Sequence, residues 1–250
     1  MIAVTREVSR TLGRCDLQHL DRQEIDAGLA AAQHREYVRC LEQCGARIVA
    51  APALHDLPDA VFVEDPAVVV GEVAVMTRMK SPVRRKEAES VAQVLQEFRP
   101  LRWLREPATL EGGDVLIAGR WVFVGLSSRT NQAGVDQLTQ LLAPLGYSVR
   151  AVEVRGCLHL KTACSLLPDA RLLANRSWID TAAFAGFNVV DVPESEPFAA
   201  NVLAVGERVL VAECFPATRR LLENVQPVDI SELMKAEAGL TCMSLLLDQS

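Results

Sequence analysis

"VLIAGRWVFV", residues 115–124, decides the fold. Two apolar runs meet at Gly119-Arg120, the pattern of a β-hairpin closed by a tight turn. The segment that follows, "NQAGVDQLTQLLAPLG" (131–146), has helical spacing and ends at Gly146, where a helix can stop. "SVRAVEV" (148–154) then reads as one more strand, so the unit is β-β-α-β. The same unit recurs on both sides. Its hairpins are "AVVVGEVAVM" (67–76), "SLLPDARLLA" (165–174) and "VLAVGERVLV" (202–211). Each leads to a segment with helical spacing or start signals: 81–98, 177–186 and 215–225, with Pro82 and Pro216 at starts and Gly186 at a stop. The strands "LRWLRE" (101–106), "NVVDVP" (188–193) and "QPVDIS" (226–231) complete these units.

The amino terminus supplies a fifth helix (21–45) and its strand "RIVAAP" (47–52) but no hairpin. "IAVT" (2–5) and "CMSLLL" (242–247) can make one together, which closes the chain into a ring as propellers close. No linker, low-complexity tract or charge block interrupts it. The expectation is one α/β domain over 1–250, a five-bladed α/β propeller with pseudo-fivefold symmetry and its termini joined in the closing unit.

Composition narrows the partners. Half of the 250 residues are hydrophobic and 23% are charged, enough to bury a sizeable core. A net charge of −6 argues against nucleic acid or an anionic membrane as partner and suits a cationic small molecule. The seven cysteines are odd in number and none is spaced C-x-x-C. The start "MIAVTREVSR" lacks a signal peptide's apolar stretch, and no apolar run reaches the roughly 18 residues of a membrane span. A reducing cytoplasm with free thiols is expected. Cys40 and Cys44 share a helical face, but two thiols alone do not make a zinc site.

Repetition also locates the chemistry. Residues where the third strand of one unit hands over to the next hairpin should converge on the pseudosymmetry axis. These handovers read "LPDAVFVED" (57–65), "PATLEGGDV" (107–115), "RGCLHLKT" (155–162), "SEPFAANV" (195–202) and "EAGLTCMS" (237–244). They bring Glu64, Asp65, Glu111, Asp114, His159, Asn201 and Cys242 to equivalent points. A cysteine with an adjacent histidine is a nucleophile pair, and a carboxylate beside the imidazole orients it; Glu111 and Asp114 are the candidates. Signatures of cysteine proteases, Gly-x-Ser-x-Gly and Gly-x-Gly-x-x-Gly are absent. Several carboxylates near a thiol raise its pKa unless a cation shares the pocket. A guanidinium is such a cation, and its carbon is electrophilic once a leaving amine is protonated.

"LPDAVFVEDPAVV", "SPVRRKE", "LEGGDVL", "VGLSSRTNQ", "LHLKT", "AAN" and "GLTCMS", in this order across nearly the whole chain, resemble the dimethylarginine dimethylaminohydrolase family of the guanidino-modifying (pentein) superfamily. The resemblance implies a five-bladed α/β propeller. It implies hydrolysis of asymmetric dimethylarginine or monomethylarginine to citrulline and dimethylamine or methylamine. It further implies that Cys242 attacks the guanidino carbon to form a thiouronium adduct, and that His159 first protonates the departing amine and then activates water. Glu111 would hydrogen-bond the imidazole, Asp65 would bind guanidinium nitrogens, and Glu64 would support the pocket wall. Arg84 and Arg129 would take the α-carboxylate, Asp59 the α-ammonium, and the backbones of Leu17 and Ala236 would add contacts. Arg85 beside Arg84 reads as a solvated helix-start residue, Asp114 as a brace for the Gly112-Gly113 turn, and Asn201 as a partner of backbone groups in its own unit.

This chemistry requires no metal or other cofactor, although a thiol beside a histidine can bind zinc adventitiously. The expected partner is an N-methylated arginine, with no nucleic acid or membrane, and the protein a monomer or homodimer. Two other readings stay open: another guanidino-modifying enzyme, of arginine deiminase or amidinotransferase type, and a non-catalytic protein that binds arginine analogues.

Overall fold

Five three-stranded sheets follow one another round a ring in the computed structural model, which describes residues 1–248. In chain order the elements begin with β1 (Ile2–Thr5), α1 (Ala27–Gln43) and β2 (Arg47–Ala50). The second unit holds β3 (Ala67–Val69), β4 (Ala74–Met76), α2 (Glu87–Leu95) and β5 (Leu101–Trp103). The third holds β6 (Val115–Ala118), β7 (Trp121–Leu126), α3 (Gln132–Leu142) and β8 (Ser148–Glu153). A short α4 (Leu160–Ala163) enters the fourth unit, β9 (Cys164–Leu166), β10 (Leu172–Ala174) and β11 (Val189–Asp191). The fifth is β12 (Leu203–Val205), β13 (Arg208–Ala212), α5 (Pro216–Arg219) and β14 (Val225–Val228); α6 (Ser231–Met234) and β15 (Leu245–Leu247) end the chain.

Every sheet has the same wiring: an antiparallel hairpin whose second strand pairs in parallel with the strand beyond the connection. The closing sheet obeys it with strands from both termini. β15 runs antiparallel to β1, pairing Ile2 with Leu247 and Val4 with Leu245, and β1 runs parallel to β2. The hairpin expected from the two ends of the chain therefore forms. Residues 249 and 250 of the expected domain lie outside the described residues.

Side-chain alternation along the strands explains the core. Val122 and Val124 of β7 point to the seam with the second unit, where they meet Val75, whereas Phe123 between them points to the seam with the fourth and stacks on Phe184. Five apolar clusters result, one at each seam between neighbouring sheets. Central strands are consequently apolar on both faces, as in the fully buried β1, β4 and β10. The outer strands β2, β5 and β11 are partly exposed.

The first three units carry full helices. Asp26 caps α1 through the amides of Gly28 and Leu29, Asn131 caps α3 through Gly134, and Gly146 leaves the third unit's helical segment at φ 83°. The helical segments expected at 177–186 and 215–225 shrink to one turn each, Thr181–Phe184 and Pro216–Arg219. Only fourteen residues separate β10 from β11, so Phe184 covers its seam from a single turn. No helix among the described residues is long and apolar enough to cross a membrane.

The inner strand of each sheet (β3, β6, β9, β12 and β15) lines an axial channel of about 300 Å³. Closure predicts that Leu247→Ala, in the last strand and 2% exposed, lowers unfolding free energy by about 2–5 kcal/mol. Leu221→Ala, at a 44% exposed site, should cost less than about 1 kcal/mol. Urea denaturation of both variants makes the comparison; equal effects would contradict a ring sealed by β15.

Candidate active site

All five handovers meet at one end of the channel, and hydrogen bonds join them into a closed ring. Thr241 Oγ1 donates to Glu64 Oε2 at 2.9 Å. Asn201 Nδ2 donates to Thr241 Oγ1 at 3.1 Å and to the Lys161 carbonyl at 2.8 Å, while its Oδ1 accepts from Thr241 N at 3.1 Å. His159 Nε2 meets Glu111 Oε2 at 2.9 Å, and Leu160 N donates to Asp114 Oδ1 at 2.9 Å. The amides of Gly112 and Gly113 return to Asp65, at its carbonyl (2.9 Å) and at Oδ1 (3.1 Å). Both glycines are sterically required. A Cβ on Gly112 would overlap the Glu64 carbonyl oxygen, and one on Gly113 would sit 2.5 Å from His159 Nδ1. The "EGGD" turn is thus the seat on which the imidazole rests.

One side of this ring is a small closed cavity, about 20 Å³. Asp59, Asp65, Arg84, Arg129, His159, Ala236 and Cys242 line it. Glu111, fully buried, stands behind His159 and also accepts from Lys80 N at 3.2 Å. Arg84 faces the cavity, held by Asp65 at 2.8 Å and by Glu87 at 3.1 Å. Arg85 turns away to the carbonyls of Met79 and Lys80. Arg129 reaches Asp16 at 3.1 Å and Glu111 at 3.7 Å. Asp59 accepts from Asp16 N at 3.2 Å.

Other expected residues sit elsewhere. Glu64 turns to the opposite side of the ring, where it pairs with Lys161 and lines the axial channel. Leu17 lies on the loop over the cavity, packed against the core cluster of α1, while its neighbour Asp16 is the residue that lines the cavity. Asp114 accepts from Ser127 Oγ at 2.6 Å and Thr130 Oγ1 at 2.7 Å as well as Leu160 N, which makes it a brace between the His159 and Arg129 loops. Asn201 does not serve its own unit; it ties the fourth unit's entry to Thr241, next to the thiol. Asp16, Phe62, Leu158, Glu237 and Ala238 complete the cavity; all but Asp16 lie within the handover stretches, and Asp16 is next to Leu17, but none was singled out as a site residue.

Burial and charge set the protonation states. Burial, reinforced by the charges of Glu64 and Asp65, pushes the Cys242 thiol up to about 12. For His159, burial alone would favour the neutral ring, but Asp65, Asp114 and Glu111 outweigh it and raise the imidazolium to about 9. Burial likewise opposes ionisation of Asp65, yet the cations of His159 and Arg84 hold it down at about 2. Burial raises Glu64 against the opposing pull of Lys161. The ligand-free site at neutral pH is therefore a protonated thiol beside an imidazolium. Oxygen and nitrogen atoms of Asp65, Glu111 and His159 lie within 4.8 Å of one another, a donor set that suits a divalent cation. Those donors are already engaged by Arg84, Gly113 N and each other.

A profile of the family described as "N,N dimethylarginine dimethylhydrolase, eukaryotic" matches residues 15–231. The N(G),N(G)-dimethylarginine dimethylaminohydrolase of Streptomyces coelicolor is 39% identical over 98% of this chain and 96% of its own length. That of Pseudomonas aeruginosa is 37% identical over 88% and 89%.

This chain belongs to the dimethylarginine dimethylaminohydrolase family.

A crystal structure of the Pseudomonas aeruginosa family member, a cysteine-to-serine mutant complexed with citrulline, superposes with a TM-score of 0.91 at 34% identity over 97% of both chains. The ring of five units read from the repeats is thus the family's α/β propeller, the pentein fold.

The electrostatics generate a direct expectation. In the ligand-free protein, Cys242 alkylation by iodoacetamide, followed by peptide mass spectrometry across pH 6–10, should stay slow and rise only above about pH 9. An apparent pKa below the ordinary value of about 8.5 would contradict the carboxylate-dominated site.

Proposed function

We propose that this protein hydrolyses asymmetric dimethylarginine or monomethylarginine to citrulline and dimethylamine or methylamine. The observation that carries the reading is the shared cavity of Cys242 and His159, with Glu111 bonded to the imidazole at 2.9 Å and Asp65 beside it. That end suits a planar cation with a reacting carbon. Arg84, which pairs with Asp65 at 2.8 Å, Arg129, 3.7 Å from Glu111, and Asp59 line the same cavity and suit a zwitterionic amino-acid head, since a guanidinium fork matches a carboxylate. The names of the family members and the citrulline complex support the same substrate class.

The proposed steps use only these groups. Binding of the guanidinium offsets the carboxylates and lets Cys242 release its proton. The thiolate then adds to the guanidino carbon. His159, an imidazolium at the outset, protonates the departing amine as the C–N bond breaks, leaving a thiouronium adduct on Cys242. The imidazole, now neutral, takes a proton from water as the water oxygen attacks the same carbon. The C–S bond breaks as the remaining hydroxyl proton passes to the departing sulfur, and citrulline and the Cys242 thiol result. Glu111 keeps the ring oriented through both steps. Lys161 and Glu64 close the floor between cavity and channel. In this reading residues 1–250 act as one catalytic domain in the cytoplasm, as a monomer or homodimer.

Separate incubation with asymmetric dimethylarginine, monomethylarginine and arginine, measuring citrulline and released amine, tests the proposal. Citrulline from the methylated substrates is expected, and Cys242→Ser should lower its formation at least about a thousandfold with the melting temperature retained. Ammonia from arginine as the main product would move the assignment to a deiminase. No citrulline from any substrate would favour a binding protein.

A further inference from the structure

Glu237 stands in a conformation that its residue type resists. It leaves the short α6 with φ 59°, in the left-handed region usually given to glycine or asparagine at a helix exit. Its amide donates to Met234 O at 3.0 Å and that of Ala238 to Leu233 O at 3.3 Å, the hydrogen-bond pattern of such an exit. A glutamate there is a local cost to the fold, and such costs are found where a side chain has other work.

That work is visible in the loop above the cavity. Glu237 Oε1 accepts from three consecutive amides, Gln18 N at 2.9 Å, His19 N at 2.5 Å and Leu20 N at 2.6 Å. Three successive amides turned to one oxygen form an anion-holding cradle. The grip spans more than 200 residues of sequence and links the loop directly to the segment that carries Cys242. Further ties hold the same loop: Arg129 to Asp16 and Gln18, and Ser128 Oγ to Gln18 at 2.7 Å, come from the third unit, and Asp59 accepts from Asp16 N at 3.2 Å. Glu237 is the tie that comes from the nucleophile's own segment. Its Oε2 is buried and has no hydrogen-bond partner among the described residues, so the carboxylate's orientation is set by the loop amides.

The loop matters because the cavity beneath it, about 20 Å³, is far smaller than the roughly 300–1,000 Å³ of an ordinary small-molecule pocket. An arginine-sized ligand enters only if the loop moves. On the reading proposed above, Leu17 on the loop and Ala236 next to Glu237 both present backbone to the ligand.

We infer that Glu237 is a positioning residue, a clasp that pre-orders loop 16–20 over the cavity and sets the Leu17 and Ala236 backbones at their working separation. This rests on the proposed methylarginine hydrolase. Without the clasp the substrate must order the loop itself, so apparent affinity falls while chemistry at Cys242 is largely retained.

Glu237→Gly separates clasp from fold, since glycine suits the left-handed exit and removes the carboxylate. The melting temperature should hold or rise. KM should increase about tenfold, with kcat changed by less than about threefold, because hydrogen bonds to a charged group are lost from the closed loop only. Cys242 in the ligand-free variant should alkylate faster, and limited proteolysis should cut within 16–20. Glu237→Gln, which keeps an acceptor oxygen, should return KM to within about threefold of wild type. Wild-type KM with wild-type alkylation in Glu237→Gly would overturn the clasp, as would a fall in kcat at unchanged KM. The alkylation and proteolysis readouts do not depend on turnover. If wild type yields no citrulline while both readouts still respond to Glu237→Gly, the clasp stands and the hydrolase reading falls.

Discussion

Glu64, Asp65, Glu111 and Asp114 are each at most 6% exposed, and all four lie where the five units meet. Carboxylates removed from water must be compensated, or they carry several kcal/mol of desolvation each. Compensation comes across unit boundaries for each: Lys161 for Glu64, His159 for Glu111, Gly112 and Gly113 amides for Asp65, and Leu160 N for Asp114. Arg84 also answers Asp65, and the hydroxyls of Ser127 and Thr130 also answer Asp114, from the same unit. Because each carboxylate has a partner on another unit, the charges are fully satisfied only when the ring is complete. Apolar seams between sheets make the ring, and the axial hydrogen bonds fix its register.

The same arrangement explains why near-equal units give an unequal site. The five handovers occupy equivalent positions, but their side chains differ, and the ring sorts them onto two sides. His159, Cys242 and Asp65 face the closed cavity, whereas Glu64, Lys161 and Thr241 face the axial channel. Neighbouring positions in one handover, such as Glu64 and Asp65, therefore do different things. Glu64 braces the Cys242 turn through Thr241 and adds negative charge to the thiol's surroundings. Asp65 faces the cavity, where its charge also favours the imidazolium. Burial, reinforced by the carboxylates, keeps the thiol protonated, and the carboxylates hold the imidazole charged against burial. A cation entering the cavity offsets those carboxylates.

Much of this was legible in residues alone because hairpins and their tight turns are local. The turns at Gly71-Glu72, Gly119-Arg120 and Gly206-Glu207 are two-residue signals, and the count of units follows from them. Equivalence of position singles out Cys242 and His159 as candidates and leaves Glu111 and Asp114 both open; the choice of Glu111 comes from the family resemblance. What escaped was set at a distance. The turns of the fourth and fifth units are short because neighbouring seams are covered by Phe184 and by the fifth unit's own strands, which a ten-residue window does not reveal. The side on which Glu64 lies depends on Lys161, and the bridging of Asn201 depends on Thr241, forty residues on. Contacts of Glu237 are to backbone amides, which have no residue signature at all.

At the centre of the proposed function is a thiol, placed by ring closure, that would make a covalent bond with a guanidino-type carbon. The most direct measurement is intact-mass and peptide mapping of the His159→Gly variant exposed to S-methyl-L-thiocitrulline. A methylthiolate leaves without a proton donor, so the adduct can form, but no imidazole remains to activate the water that would release it. A persistent adduct on the peptide bearing Cys242, with little citrulline, is the predicted result. Citrulline released at the wild-type rate, or an adduct on any other residue, would contradict it.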